Sequence, residues 1–250
     1  MATDSPRWMS KLAGCRMVSG TPFNATCLAT PTARRMGGWM GVVMNFRKIL
    51  LLLCLVVSGA AQAAPVILVF GDSLSAGYGL EASQAWPSLL QQRLDHNKQN
   101  WQVVNASISG ETSAGGLARL PLALAQHKPA IVILELGAND GLRGLPLGLM
   151  QANLSAMIAH IQKTDARILL VGVRLPPNYG MAYTEKFRHV FATLARSRHV
   201  VLLPSLLNGI EAKRELFQAD GFHPVASAQQ QILENVWKPL SAMLGARNTR

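Results

Sequence analysis

The chain has 250 residues, 49% of them hydrophobic and only 15% charged, which excludes a disordered polyelectrolyte. Its 13 Pro and 21 Gly are too few and too scattered for a fibrous or low-complexity protein. A formal net charge of +11 points towards nucleic acid at first, but the location of the charges excludes that reading.

Residues 1–43 show neither helical nor strand periodicity and are rich in Gly, Thr, Pro and Met. They read as a spurious or disordered extension upstream of the true start at Met44. From Met44 the pattern changes. Arg47 and Lys48 form a basic n-region, Ile49 to Val57 an apolar h-region, and Ala61-Gln62-Ala63 a small-residue site. The apolar run falls short of the roughly 20 residues a transmembrane helix needs, so 44–63 is expected to be a signal peptide cleaved after Ala63. Seven of the 24 basic and one of the 13 acidic residues lie in 1–63, leaving 17 and 12 in 64–250, a net +5. No run of five like charges and no nucleic-acid motif remains, so no nucleic-acid partner is expected. Cys15, Cys27 and Cys54 also lie in the removed piece. The mature chain then has no disulfide, thiol nucleophile or Cys-zinc site, as suits a periplasmic or secreted protein with no stable membrane span.

Residues 64–250 fit one domain. Continuous apolar runs at 65–70, 102–105, 130–135, 167–172 and 199–203 read as strands covered on both faces. Amphipathic stretches at 86–96, 113–127, 147–163, 183–198 and 226–244 read as helices, with Pro121 expected to kink or split the second. Strand–helix alternation predicts an α/β fold, a doubly wound sandwich whose ligands bind outside the carboxyl ends of the strands.

Four polar blocks sit at those ends or on turns: Gly71 to Gly79, Ser107 to Thr112, Gly137 to Gly141, and Asp220 to Pro224. A serine hydroxyl needs a base to take its proton, and His223 can be that base for Ser73. Asp220, three residues before His223, is near enough to orient the imidazole. The developing oxyanion needs donors, which the N–H of Ser73, the N–H of Gly110 and the side-chain amide of Asn139 can supply. Asp72 is read as a loop hydrogen bonder, and Asp140 as fixing the turn after Asn139. His96, His127, His160, His189 and His199 form no metal-ligand spacing, so neither a metal nor a cofactor is expected.

This set resembles the SGNH, or GDSL, hydrolase family through Ser73, Gly110, Asn139 and His223, the Gly-Asp-Ser-Leu run 71–74 and the Asp-x-x-His run 220–223. The likeness covers essentially all of 64–250. It implies a flavodoxin-like three-layer α/β/α sandwich with a mainly parallel five-stranded sheet. It also implies roles: Ser73 as nucleophile, His223 as base and acid, Asp220 as its partner, and Ser73, Gly110 and Asn139 as oxyanion hole. Within the family the likeness is to bacterial periplasmic multifunctional thioesterases, lysophospholipases and arylesterases. Gly71 to Gly79, Leu136 to Arg143 and Arg174 to Gly180 carry it. The last stretch resembles a mobile loop that helps hold an acyl chain, which makes Leu175, Pro176 and Tyr179 candidate substrate-binding residues. Ala138 stands where Gly is frequent, and Met181-Ala182 where a more basic pair is expected, so no chain-length preference carries over. The Gly-x-Ser-x-Gly elbow of α/β-hydrolases is absent around Ser73, which predicts a flatter, more open site.

The resulting expectation is a monomeric, cofactor-free serine hydrolase acting on small-to-medium acyl esters and thioesters. A carbohydrate O-acetylesterase would use the same residues, although only 6% aromatic residues argues against an extended sugar platform. A catalytically silent acyl- or lipid-binding protein is the alternative outside enzymes.

Overall fold

The computed structural model describes residues 63–245. The extension at 1–43 and all but the last residue of the expected signal segment 44–63 lie outside them.

The first strand, β1 (Val66–Gly71), ends on the short helix α1 (Ser73–Ala76). There follow α2 (Trp86–His96), β2 (Gln102–Asn105), α3 (Ser113–His127), β3 (Ile131–Glu135), α4 (Ala138–Leu142) and α5 (Leu147–Gln162). The chain closes with β4 (Arg167–Val171), α6 (Met181–Arg198), β5 (Val201–Leu203) and α7 (Gln229–Gly245). All four strand pairings are parallel, in the order β2-β1-β3-β4-β5. The expected mainly parallel five-stranded sheet is therefore wholly parallel. Helix α3 packs on α5 and α5 on α6, while α2 packs on α7, giving two helical layers around the sheet.

The unbroken apolar runs are explained by this double cover. Ile67, Leu68, Val69 and Phe70 of β1 and Ile131 to Leu134 of β3 are fully buried, whereas edge strand β2 is half-exposed. The helices meet them with one stripe each, such as Leu90 and Leu94 on α2, Leu154 and Ile158 on α5, and Phe187 and Phe191 on α6. Emptying one of these, as in Leu154→Ala, is a change that costs about 2–5 kcal/mol in a packed core.

Helices α1 and α4 were not expected and α6 starts at Met181, before the expected 183; three further sequence readings change at this level. Helix α3 is not split: it runs continuously through Pro121, which lies on its exposed face. The fifth strand begins at Val201, because His199 adopts a left-handed conformation (φ 53°) and caps α6. The last helix is preceded by a separate 3-10 turn at Ala226–Ala228.

The strand order places the chain reversal between β1 and β3. From β1 the chain crosses to β2 on one side, then returns to β3 on the other. At such a switch point the loops after the two strands part and leave a crevice at their carboxyl ends. The loops in question carry Asp72-Ser73 and Gly137-Ala138-Asn139. No helix among the described residues is long and apolar enough to cross a membrane.

Candidate active site

Ser73 opens α1 immediately beyond β1. Its helix is capped by Asp72, whose Oδ1 accepts the Leu74 N–H at 3.0 Å. The Ser73 Oγ lies 2.9 Å from His223 Nε2, and His223 Nδ1 lies 2.7 Å from Asp220 Oδ2. Ser73, His223 and Asp220 thus form one continuous line of hydrogen bonds.

The direction of that line follows from Asp220. Its Oδ1 accepts the backbone N–H groups of Phe222 (2.8 Å) and His223 (3.0 Å). Burial pushes its carboxyl up, but the hydrogen bonds from the His223 ring and these two amides, with the His223 charge, outweigh that and hold it down to about 2. An ionised carboxylate only accepts, so Nδ1 of His223 carries the hydrogen and Nε2 is left to accept from the Ser73 hydroxyl.

The loop bearing His223 is pinned from beneath. Arg214 donates to the carbonyls of Phe217, Gln218 and Ala219, and the Gln218 N–H donates to the His223 carbonyl at 2.8 Å. The Gln218 side chain then reaches across to the Tyr78 carbonyl at 2.8 Å, tying the histidine loop to the serine loop. The Tyr78 ring lies against the imidazole, with centroids 4.4 Å apart.

Asn139 stands near the start of α4. Its Nδ2 donates to the Glu111 carbonyl at 3.0 Å and to Asp72 Oδ2 at 3.2 Å. Gly110 adopts φ +78°, a left-handed conformation that favours glycine, and its carbonyl accepts from Arg143 at 3.0 Å. The loop at 107–111 is thereby held by Asn139 and Arg143, and also by the Ile108 N–H, which donates to the Gly71 carbonyl.

A cavity of about 710 Å³ opens beside Ser73, Asn139 and His223. Its walls are mostly apolar and include Leu142, Val173, Leu175, Pro176, Leu207, Phe217 and Phe222. Leu175 and Pro176 therefore do line the space next to Ser73. Tyr179 does not: its hydroxyl donates to the Leu142 carbonyl at 2.9 Å and its ring stacks on Tyr183, so it ties the loop down from behind. Gly110 also lies outside the cavity wall, on the neighbouring loop.

The two other aspartates divide. Asp72 does bond the loop, as its contacts with Leu74 and Asn139 show. Asp140 fixes a different element from the turn expected of it: its carboxylate accepts the Ser113 N–H (2.8 Å) and hydroxyl (2.5 Å), anchoring the start of α3.

Sequence reading missed Tyr78, Arg143, Arg214, Gln218 and, above all, Glu135. The Glu135 carboxylate is fully buried at the end of β3. Burial, then the charge of Asp72, pushes its pKa well above the ordinary range. Burial also raises Asp72, to about 6, against the pull of the Leu74 N–H, His223 and Asn139. An acid closing an otherwise apolar strand at the ligand edge was the available signal.

Residues 69–231, which contain all four polar blocks, match the GDSL-like Lipase/Acylhydrolase family. The chain belongs to that family. Esterase TesA of Pseudomonas aeruginosa is 48% identical over 192 residues, 77% of this chain and 96% of its own length. Thioesterase 1/protease 1/lysophospholipase L1 of Escherichia coli is 41% identical over 207 residues, 81% of this chain and 98% of its own. A crystal structure of TesA superposes with a TM-score of 0.70 at 49% identity, covering 71% of this chain and 99% of that one. The five-stranded α/β/α sandwich expected from the motifs is the GDSL hydrolase fold, and the switch-point crevice between β1 and β3 is where this member carries its Gly-Asp-Ser-Leu serine.

Proposed function

We propose that this protein is a serine hydrolase that cleaves carboxylic esters and thioesters through an acyl-Ser73 intermediate. The observation that carries the reading is the hydrogen-bonded line Asp220–His223–Ser73 at the mouth of a mostly apolar cavity.

The reaction follows from that line. His223 Nε2 takes the Ser73 proton as Oγ attacks the acyl carbon, and Asp220 stabilises the imidazolium that forms. The Ser73 N–H, the Gly110 N–H and the Asn139 amide stabilise the oxyanion. Both Asn139 amide hydrogens have partners at rest, so the longer bond, to Asp72, is the one an oxyanion displaces. Collapse of the adduct leaves acyl-Ser73, and the proton on His223 goes to the departing alcohol or thiol. His223 then activates water to release the acid. The acyl chain occupies the cavity, against Leu175 and Pro176, with Tyr179 holding their loop in place.

The names of the relatives, an esterase and a thioesterase/lysophospholipase, support this substrate range. The mostly apolar cavity favours acyl groups longer than acetyl over a carbohydrate O-acetylesterase. We read 64–250 as the catalytic domain, exported by the 44–63 segment and active as a monomer, since no proposed role needs a second copy. N-terminal sequencing of exported protein tests the first point: a chain beginning at Ala64 supports it, and one retaining Phe46 contradicts it. For the activity, protein expressed from the full chain is assayed on p-nitrophenyl esters of increasing acyl length, with Ser73→Ala as control. Hydrolysis that disappears in the variant supports the proposal, and hydrolysis that survives it refutes the serine mechanism.

A further inference from the structure

We propose that Glu135 is a positioning residue of the reaction, a buried clamp that holds the turn on both sides of Ser73 and so aims its hydroxyl and N–H. This rests on the reading of Ser73 as nucleophile.

The geometry is specific. Glu135 ends β3 and is the register partner of Gly71 on β1. One of its oxygens, Oε2, accepts the backbone N–H of Asp72 at 3.3 Å and the hydroxyl of Ser75 at 2.7 Å. The residue before Ser73 and the residue two after it are thus fastened to a single atom of the neighbouring strand. Ser75 is fixed a second time, because its carbonyl accepts from Asn105 Nδ2 at the end of β2 at 2.8 Å. Ser73 is held between these anchors, with its own Oγ bonded to His223.

The same clamp explains why Gly-Asp-Ser-Leu begins with glycine here. A Cβ on Gly71 would lie 2.5 Å from Glu135 Oε2 and 2.9 Å from the Glu135 carbonyl oxygen. The carboxyl occupies the space a side chain at 71 would need.

A buried carboxyl is an expensive way to finish an apolar strand, since desolvation disfavours its charge. What it supplies in return is an acceptor that reaches a backbone amide and a hydroxyl at once. The neutral form that burial favours keeps this acceptor, so glutamine is a close mimic and leucine removes it. Small displacements of a nucleophile are costly: about 1 Å of misplacement can lose about a hundredfold in rate.

The experiment compares Glu135→Gln, Glu135→Leu and Ser75→Ala with the wild type, all expressed from the full chain. Each is checked by thermal melting, and kcat and KM are measured separately on p-nitrophenyl butyrate. In folded Glu135→Leu, kcat is expected to fall about a hundredfold or more with little change in KM. Glu135→Gln should restore it to within about tenfold of wild type, and Ser75→Ala, which removes one of the two bonds, should lie between. A folded leucine variant with wild-type kcat overturns the proposal, as does a glutamine variant no better than leucine. If leucine does not fold, Ser75→Ala decides, and wild-type kcat there also overturns it. Ser73→Ala separates the two readings: its retained activity would sink the nucleophile assignment, whatever the Glu135 variants do.

Discussion

Asn139 and Asp72 are bonded across the switch point: Nδ2 of one donates to Oδ2 of the other at 3.2 Å. The bond joins the loop after β3 to the residue preceding Ser73, and it sets a carboxylate in a dry place. Burial raises Asp72 to about 6, from an ordinary 3.8. A carboxyl with a raised folded pKa takes stability away as pH climbs through that interval, because the folded state holds the proton longer.

Asp72→Asn is therefore expected to gain stability relative to wild type between pH 4 and pH 7. The gain is limited because the new amide can turn a donor towards Asn139. Turnover should fall, because the single carbonyl oxygen left at position 72 cannot accept from both the Leu74 N–H and the Asn139 amide. Urea unfolding at several pH values, with kcat at pH 7, checks both. A variant as active as wild type would mean the Asp72–Asn139 bond does not serve the reaction.

Asp220 moves the other way. Its carboxyl is held down to about 2, so its contribution to stability is present above about 4 and disappears as pH falls through 2. The stability difference between wild type and Asp220→Asn should be visible at pH 5–7 and close between pH 4 and 2. Loss of the acceptor for His223 Nδ1 should also lower kcat by about 10³–10⁴-fold, the scale of losing the group that fixes a catalytic tautomer. A stability difference that widens at low pH would contradict the assignment.

Tyr78 lends its ring face to His223 at 4.4 Å, and no side-chain hydrogen bond of its hydroxyl enters that contact. Tyr78→Phe should keep wild-type kcat, while Tyr78→Ala should lower it about 3–10-fold, the effect of about 0.5–1.5 kcal/mol from a lost aromatic contact. Steady-state kinetics of the pair decides; equal loss in both would assign the effect to the hydroxyl.

The loop at 174–180 yields a contrast between two of its residues. Leu175 lines the cavity, whereas Tyr179 supports the loop through the Leu142 carbonyl. Leu175→Ala should shift the acyl-length profile towards longer chains. Tyr179→Phe should leave the profile in place and lower activity at all lengths by a similar factor. A profile shift in Tyr179→Phe alone would reverse the two roles.

What was legible in the sequence follows physical lines. The β1 and β3 runs announced themselves because both faces are covered, so every residue is apolar and period plays no part. The Asp220–His223 spacing was readable because a three-residue separation on one tight turn brings the two side chains together locally. The contacts that were not readable join residues far apart in the chain. Gln218 with Tyr78 and Glu135 with Ser75 meet only because the parallel sheet gathers its strand ends on one edge. Tyr179 went astray for a related reason: an aromatic on an apolar loop is compatible with facing ligand or facing the fold, and only the Leu142 carbonyl decides between them. Pro121 was expected to kink or split α3, and the helix is not split: a proline on the exposed face of an otherwise well-packed helix can be carried by the packing of the opposite face.

The proposed mechanism turns on a covalent intermediate on Ser73. The most direct measurement is intact-mass spectrometry of the enzyme acid-quenched during turnover of a p-nitrophenyl ester, followed by peptide mapping. An acyl adduct on the peptide containing Ser73, absent in Ser73→Ala, is the expected result. Turnover that persists in Ser73→Ala, or an adduct mapped to another residue, would contradict it.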